Sequence, residues 1–181
     1  MNTSSPKEIA QEAVDITFTI LLNCCVRELG NSSFYEGVPK YDPILKSYMS
    51  KYNHQLHLKL DFPVDKVEVY APIRYRSETF RHLYDFPVME RDLTNETIRE
   101  IDADRLLELI TNQVRQQYPL ADSKNVKKRM QLSTEKIAQF LEHFQTSGQD
   151  FNKPEMTFIE AEQLFPAVHL LHPLTKGREG F

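Results

Sequence analysis

Between His54 and Tyr75 the apolar residues fall on every second position: Leu56, Leu58, Leu60 and Phe62, then Val67, Val69, Ala71, Ile73 and Tyr75. A period of two sends alternate side chains to opposite faces of an extended chain, so both runs read as half-buried strands. Pro63 to Lys66 between them reads as a turn. A third short run from Phe80 to Val88 completes an antiparallel meander. Pro72 has no N–H for a ladder, which asks for an edge position or a bulge there.

On either side of this block the period changes to that of a helix. Ser5, Pro6 and Glu8 form a start signal: a hydroxyl cap, a proline whose missing N–H is harmless in the first turn, and a reciprocal glutamate. Ile9, Ala13, Ile16, Ile20 and Cys24 then recur at three- and four-residue spacing. Val14, Phe18, Leu21, Cys25 and Leu29 widen the stripe, which implies burial on two sides, and Gly30 supplies the stop. Asn31 to Asn53 shows no clear period and reads as loop, with a short helix around Pro43 to Tyr52. Further on, Asp102 caps a segment carrying Leu106, Leu107, Ile110 and Val114. Ser123 opens a longer one through Val126, Met130, Ile137, Phe140, Leu141 and Phe144. After a polar loop from Gln145 to Met156, Thr157 and Glu160 form a capping box over Phe158 to Leu164.

The expected architecture is therefore α+β. Residues 1–53 are helical, 54–90 form the β-meander, 91–166 are helical, and 167–181 form a closing loop. A chain of 181 residues can bury roughly 70% of its unfolded surface and is read as a single domain.

Charge and hydropathy exclude several classes of function. A net charge of −4 advertises no basic face for nucleic acid. Lys124, Lys127, Lys128 and Arg129 make a basic knot, but no aromatics for base stacking accompany it, and a solvated helix face is the simpler reading. The apolar stretch Ile16 to Leu22 is interrupted by Thr17 and Thr19 and lacks a basic leader, which argues against a signal peptide. No run reaches the roughly 18 apolar residues of a bilayer span. Cys24 and Cys25 are adjacent on a helix, where a disulfide would be strained and would staple nothing. The reducing cytoplasm is the natural compartment.

Chemistry concentrates at the carboxyl end, where His169, His172, Lys176 and Arg178 lie among Pro173, Gly177 and Gly180. Glycines admit close backbone approach, Lys brings a point charge and Arg a planar donor fork, a combination suited to polyphosphate. The pattern is not a P-loop, which needs Gly-Lys-Ser/Thr and a following helix. A frayed, solvated terminus is the competing reading of the same residues. His169 and His172 could also pair on a metal, but no third ligand is evident.

From Glu162 and Gln163 through His169, His172, Pro173, Lys176, Arg178, Gly180 and Phe181, the tail resembles the signature of the siderophore synthetases that act independently of nonribosomal peptide synthetases, the IucA/IucC family. In that motif a Gly and a Pro flank the first His, where this chain has Val168 and Leu170. A looser likeness extends backwards through Leu21, Leu22, Asn23, Arg27 and Glu28, then Ile73 to Ser77, then the helix bearing Ser133.

The resemblance implies the amino-terminal portion of an ATP-dependent ligase. In that chemistry a citrate-type carboxylate attacks the α-phosphate, and an amine or hydroxyl then displaces AMP. It further implies that Lys176 and Arg178 contact the phosphates, with His172 beside them and His169 and Gly180 shaping the loop, and that Mg2+ accompanies the nucleotide. Family members are considerably longer, so a truncated, inactive fragment is expected. The competing expectation is a non-catalytic module that docks on a separately encoded carboxyl-terminal half or pairs as a homodimer. ATP and a citrate-type acid are the expected ligands, with no nucleic acid and no membrane.

The remaining candidates have plainer readings. Ser77 is a turn former as readily as a family serine. For Ser133, on the apolar stripe, a back-bond to its own helix suffices. His54, His57, His82 and His143 have no partner within sequence reach that suggests catalysis.

Overall fold

The computed structural model describes residues 5–36, 43, 46–48, 56–79 and 81–146. The elements are α1 (Pro6–Glu28), β1 (Ser32–Glu36), β2 (Leu56–Phe62), β3 (Val67–Tyr75), β4 (Leu83–Tyr84), β5 (Val88–Asp92), β6 (Ile98–Ile101), α2 (Ala103–Arg115) and α3 (Ser123–Thr146). The chain divides into two compact units, one of residues up to Ile20 together with Lys128 onward, the other Leu21–Lys127. The α+β class is as expected. The closing loop 167–181 lies outside the described residues, as does the capping box at Thr157.

In the first unit, α1 opens with the capping box its sequence advertises: Ser5 N donates to Glu8 Oε2 at 2.6 Å, and Glu8 N to Ser5 Oγ at 3.3 Å. Ile9, Ala13 and Phe18 are buried, together with Thr17 and Thr19. Thr17 Oγ1 donates to Ala13 O and lies 2.8 Å from Thr134 Oγ1, which itself donates to Met130 O. The helix back-bond expected of Ser133 is thus made by its neighbour Thr134. By length and composition α1 could cross a membrane, but half of that stretch is buried inside the protein, as in a core helix.

The second unit holds the sheet. Six strands among the described residues pair antiparallel in the order β1-β2-β3-β5-β6, with β4 also on β3. The predicted alternation sets the register: Leu58, Leu60 and Phe62 lie opposite Ala71, Val69 and Val67, all buried on one face. On that side α2 packs against β2, burying Leu106 and Leu109. Asp102 caps α2 as expected, its Oδ1 accepting from Arg105 N at 2.8 Å. On the other face Tyr48 and Tyr70 are buried with Met89 and Ile98 against them.

Three elements differ from the sequence expectation. Ser32–Glu36, read as loop, is β1 and pairs with β2. Its residues do not alternate in polarity; the strand is defined by backbone pairing with β2 rather than by side-chain pattern. Gly30 ends α1 at φ +63°, a left-handed conformation that favours glycine, and Asn31 Nδ2 then donates to Asp61 O at 2.7 Å, aligning the strand. Second, the sheet runs to Ile101, whereas the pattern places helix from residue 91. Asp92 turns the chain there, accepting from Thr94 N at 2.7 Å while its own N donates to Thr97 O.

Third, Pro72 sits in an interior strand and not at an edge, but the irregularity expected as the alternative lies beside it, between Ile73 and Tyr75. The proline pairs opposite His57, and its carbonyl accepts from Asp85 N at 2.9 Å. A strand residue's N and O point the same way, so the missing N–H faces away from β2. It falls where the partner of β3 changes from β5, which pairs with residues 67–70, to β4, which pairs with Ile73 and Tyr75 across a register shift. The missing N–H therefore costs no bond on the β2 side.

Candidate functional site at the turn between β3 and β4

The residues the sequence singles out for nucleotide contact, His169, His172, Lys176, Arg178 and Gly180, lie outside the described residues. Within them, two positions of the looser resemblance do meet. Asn23, on α1, and Ser77, just after β3, are joined through His82, a residue that offers no partner in sequence.

Asn23 is buried and makes three hydrogen bonds. Its Nδ2 donates to His82 O at 2.9 Å, and its Oδ1 accepts from His82 N at 3.0 Å and from the Tyr84 hydroxyl at 3.2 Å. One amide therefore holds both backbone groups of His82, as a strand neighbour would. The ring of His82 turns to the next residues: its Nδ1 accepts from Ser77 N at 3.1 Å, which puts the imidazole proton on Nε2. Burial, with the nearby Arg76 charge, holds the His82 pKa below the ordinary histidine value, so the neutral ring that can accept this bond is the stable form. Burial likewise pushes the Tyr84 phenol upward, keeping it a donor.

The turn so fixed is polar and cationic on its outer side. Ser77 Oγ lies 2.9 Å from Thr79 Oγ1 and accepts from Thr79 N at 3.1 Å, so the turn-forming role expected of Ser77 is present. The Arg76 guanidinium lies 4.6 Å from the centroid of Phe34, whose ring meets His82 edge-on at 5.2 Å. Arg74, 63% exposed, donates from Nε to Asp85 at 3.1 Å and from Nη2 to Tyr84 O at 3.2 Å. Among the described residues Arg76 has the ring as its neighbour and no carboxylate.

Several other charged groups are paired within the protein. Glu90, buried in the sheet, receives Arg99 Nη2 at 2.6 Å and Arg105 Nε at 2.7 Å. On the other face Lys59 meets Glu68 at 2.5 Å and Asp61 at 2.8 Å, and Tyr70 donates to Glu68 at 2.8 Å. Burial works to raise the Glu68 pKa, but these hydrogen bonds and the Lys59 and Arg91 charges outweigh it and hold the carboxyl low. Within the basic knot Lys127 pairs with Asp104 at 2.6 Å. A cavity of about 270 Å³ is lined largely by apolar side chains, among them Leu21, Leu29, Leu107, Ile110 and Val126. Cys24 also lines it, and burial raises its pKa as it does that of Cys25, so both remain protonated thiols. Among the described residues no group of three or more His, Cys, Asp and Glu is arranged to hold a metal.

No model of a known protein family matches the chain. It is 22% identical over 175 residues to a spermidine-citrate ligase of Bacillus anthracis, an alignment covering 96% of this chain and 29% of that protein. To the rhizobactin siderophore biosynthesis protein RhbC of Rhizobium meliloti (strain 1021) it is 28% identical over 173 residues, covering 94% of this chain and 27% of RhbC. The fold matches that of ATP-bound aerobactin synthetase IucA from a hypervirulent pathotype of Klebsiella pneumoniae, with a TM-score of 0.57, 20% identity, and coverage of 92% of this chain and 27% of IucA. Over nearly all of its length the chain is similar to proteins of siderophore biosynthesis. A second structure of IucA matches with a TM-score of 0.51. In each comparison the chain spans less than a third of the partner's length.

Proposed function

We propose that this chain is the amino-terminal portion of an ATP-dependent siderophore synthetase, a cytoplasmic enzyme that adenylates a citrate-type carboxylate and passes the acyl group to an amine or alcohol. The observation that carries this reading is the match over more than nine-tenths of the chain to synthetases of this class, in sequence and in fold. In the reading, Lys176 and Arg178 hold the triphosphate, His172 stands beside it, and His169 and Gly180 shape the loop. Their charge offsets what develops on the departing pyrophosphate, with Mg2+ accompanying the nucleotide. The alignments reach little more than a quarter of the relatives, which supports the reading that turnover needs residues beyond this span.

The isolated chain is expected not to exchange pyrophosphate into ATP with citrate present; robust exchange would overturn the fragment reading. In a protein completed with the remaining portion, citrate-dependent exchange should appear. There Lys176→Ala should lower kcat/KM for ATP by about 10²-fold, the order seen when one donor to a developing charge is lost. An unchanged kcat/KM would remove Lys176 from the site. The short span also favours a second reading, a non-catalytic module that docks on a separately encoded carboxyl-terminal half or self-associates. A complex by light scattering without restored exchange would select it.

A further inference from the structure

We propose that the turn between β3 and β4 is a binding platform for a multiply charged oxyanion, with Arg76 as its cation and the Ser77 and Thr79 hydroxyls beside it. Three observations carry the assignment. The Arg76 guanidinium is held at 4.6 Å from the Phe34 ring, which restricts a long side chain while leaving the edge of its donor fork open. No carboxylate among the described residues answers it: Asp85 is taken by Arg74, and Glu78, exposed on the same turn, makes no ion pair with it. The backbone beneath is fixed by buried side chains, through Asn23 to both backbone groups of His82 and through the His82 ring to Ser77 N. A turn that only joined two strands would not call for a buried amide and imidazole to define it. An arginine poised on an aromatic face above a fixed backbone is preorganised for a planar carboxylate or a phosphate.

The assignment deepens the proposed function, whose substrates are both polyanions, and rests on that reading only for the identity of the ligand. Citrate and inorganic pyrophosphate serve as probes, titrated by calorimetry at about physiological ionic strength so that diffuse attraction is screened. The proteins are the full 181-residue chain, Arg76→Ala, Arg76→Lys, and Lys176→Ala/Arg178→Ala. Saturable binding of either probe is expected in the parent chain and in the Lys176/Arg178 double variant. It should weaken at least tenfold in Arg76→Ala and less in Arg76→Lys, whose ammonium keeps the charge without the fork; the tighter probe names the ligand. Absence of saturable binding in the parent chain, or equal binding in Arg76→Ala, overturns the assignment. Loss of binding in the double variant with retention in Arg76→Ala also overturns it while supporting the nucleotide loop of the proposed function, so the two ideas fail separately. Circular dichroism of each variant establishes that the exposed substitution leaves the fold intact.

Discussion

Two arginine-bearing clusters of the sheet unit use the same chemistry to different ends. At Glu90, a carboxylate 2% exposed is gripped by Arg99 and Arg105, and the charges close on one another. At the turn after β3, the buried groups are neutral (Asn23, His82 and Tyr84) and are hydrogen-bonded through the Asn23 amide, while among the described residues the cation above them, Arg76, meets a ring and no carboxylate. The first arrangement ties β5 and β6 to the start of α2. The second fixes a piece of backbone and leaves a donor fork facing outward. Closed charge is a structural device here, and open charge on a fixed base is a recognition device.

If this contrast is right, stability and binding should separate between the two clusters. The largest stability effect is expected at the closed one. Arg105→Ala leaves a buried carboxylate short of a partner and should destabilise the chain by about 3 kcal/mol or more in urea unfolding, whereas a loss under about 1 kcal/mol would show Glu90 content with Arg99 alone. Asn23→Ala strands His82 N, His82 O and the Tyr84 hydroxyl, and should cost about 2 to 3 kcal/mol by the same measurement.

A smaller, pH-dependent effect should come from His82. Its pKa is lowered in the folded chain, so the unfolded chain binds the proton more readily. The contribution is whole above the ordinary value of 6.5 and is lost as pH falls from there through the folded value. The difference in urea midpoint between the parent and His82→Gln should therefore shrink on acidification, and a constant difference would mean that the ring does not titrate against Ser77 N. The smallest stability effect is expected at Arg76, where Ala should cost less than about 1 kcal/mol, the scale of an exposed cation–ring contact. A loss of several kcal/mol there would make Arg76 a structural residue and erase the contrast.

How much of this was legible beforehand follows from distance along the chain. The alternation of Leu56 to Tyr75 is a local signal, and β2 and β3 stand where it puts them, in a register that buries the expected face. The cap at Ser5, the stop at Gly30 and the cap at Asp102 are equally local. β1 was illegible because Ser32, Ser33, Phe34, Tyr35 and Glu36 carry no alternation. β6 is only four residues long, and the Asp92 to Thr97 turn before it, which holds Asn95, was the available clue. His82 carries no local signal because its partner Asn23 lies 59 residues away, a pairing that only the folded chain reveals. The tail residues proposed for nucleotide contact rest on their own chemistry and on resemblance, and they lie outside the described residues.

The change of neighbour along β3 at Pro72 has a consequence for motion. β4 is two residues long and hangs from the end of a strand whose other half is woven into the ladder with β5, so its attachment depends on side chains more than on the mesh of amides. The turn can therefore unlatch while the weave behind it stays shut, and hydrogen exchange should find the Asp85 amide released well before those of Val69 and Glu90.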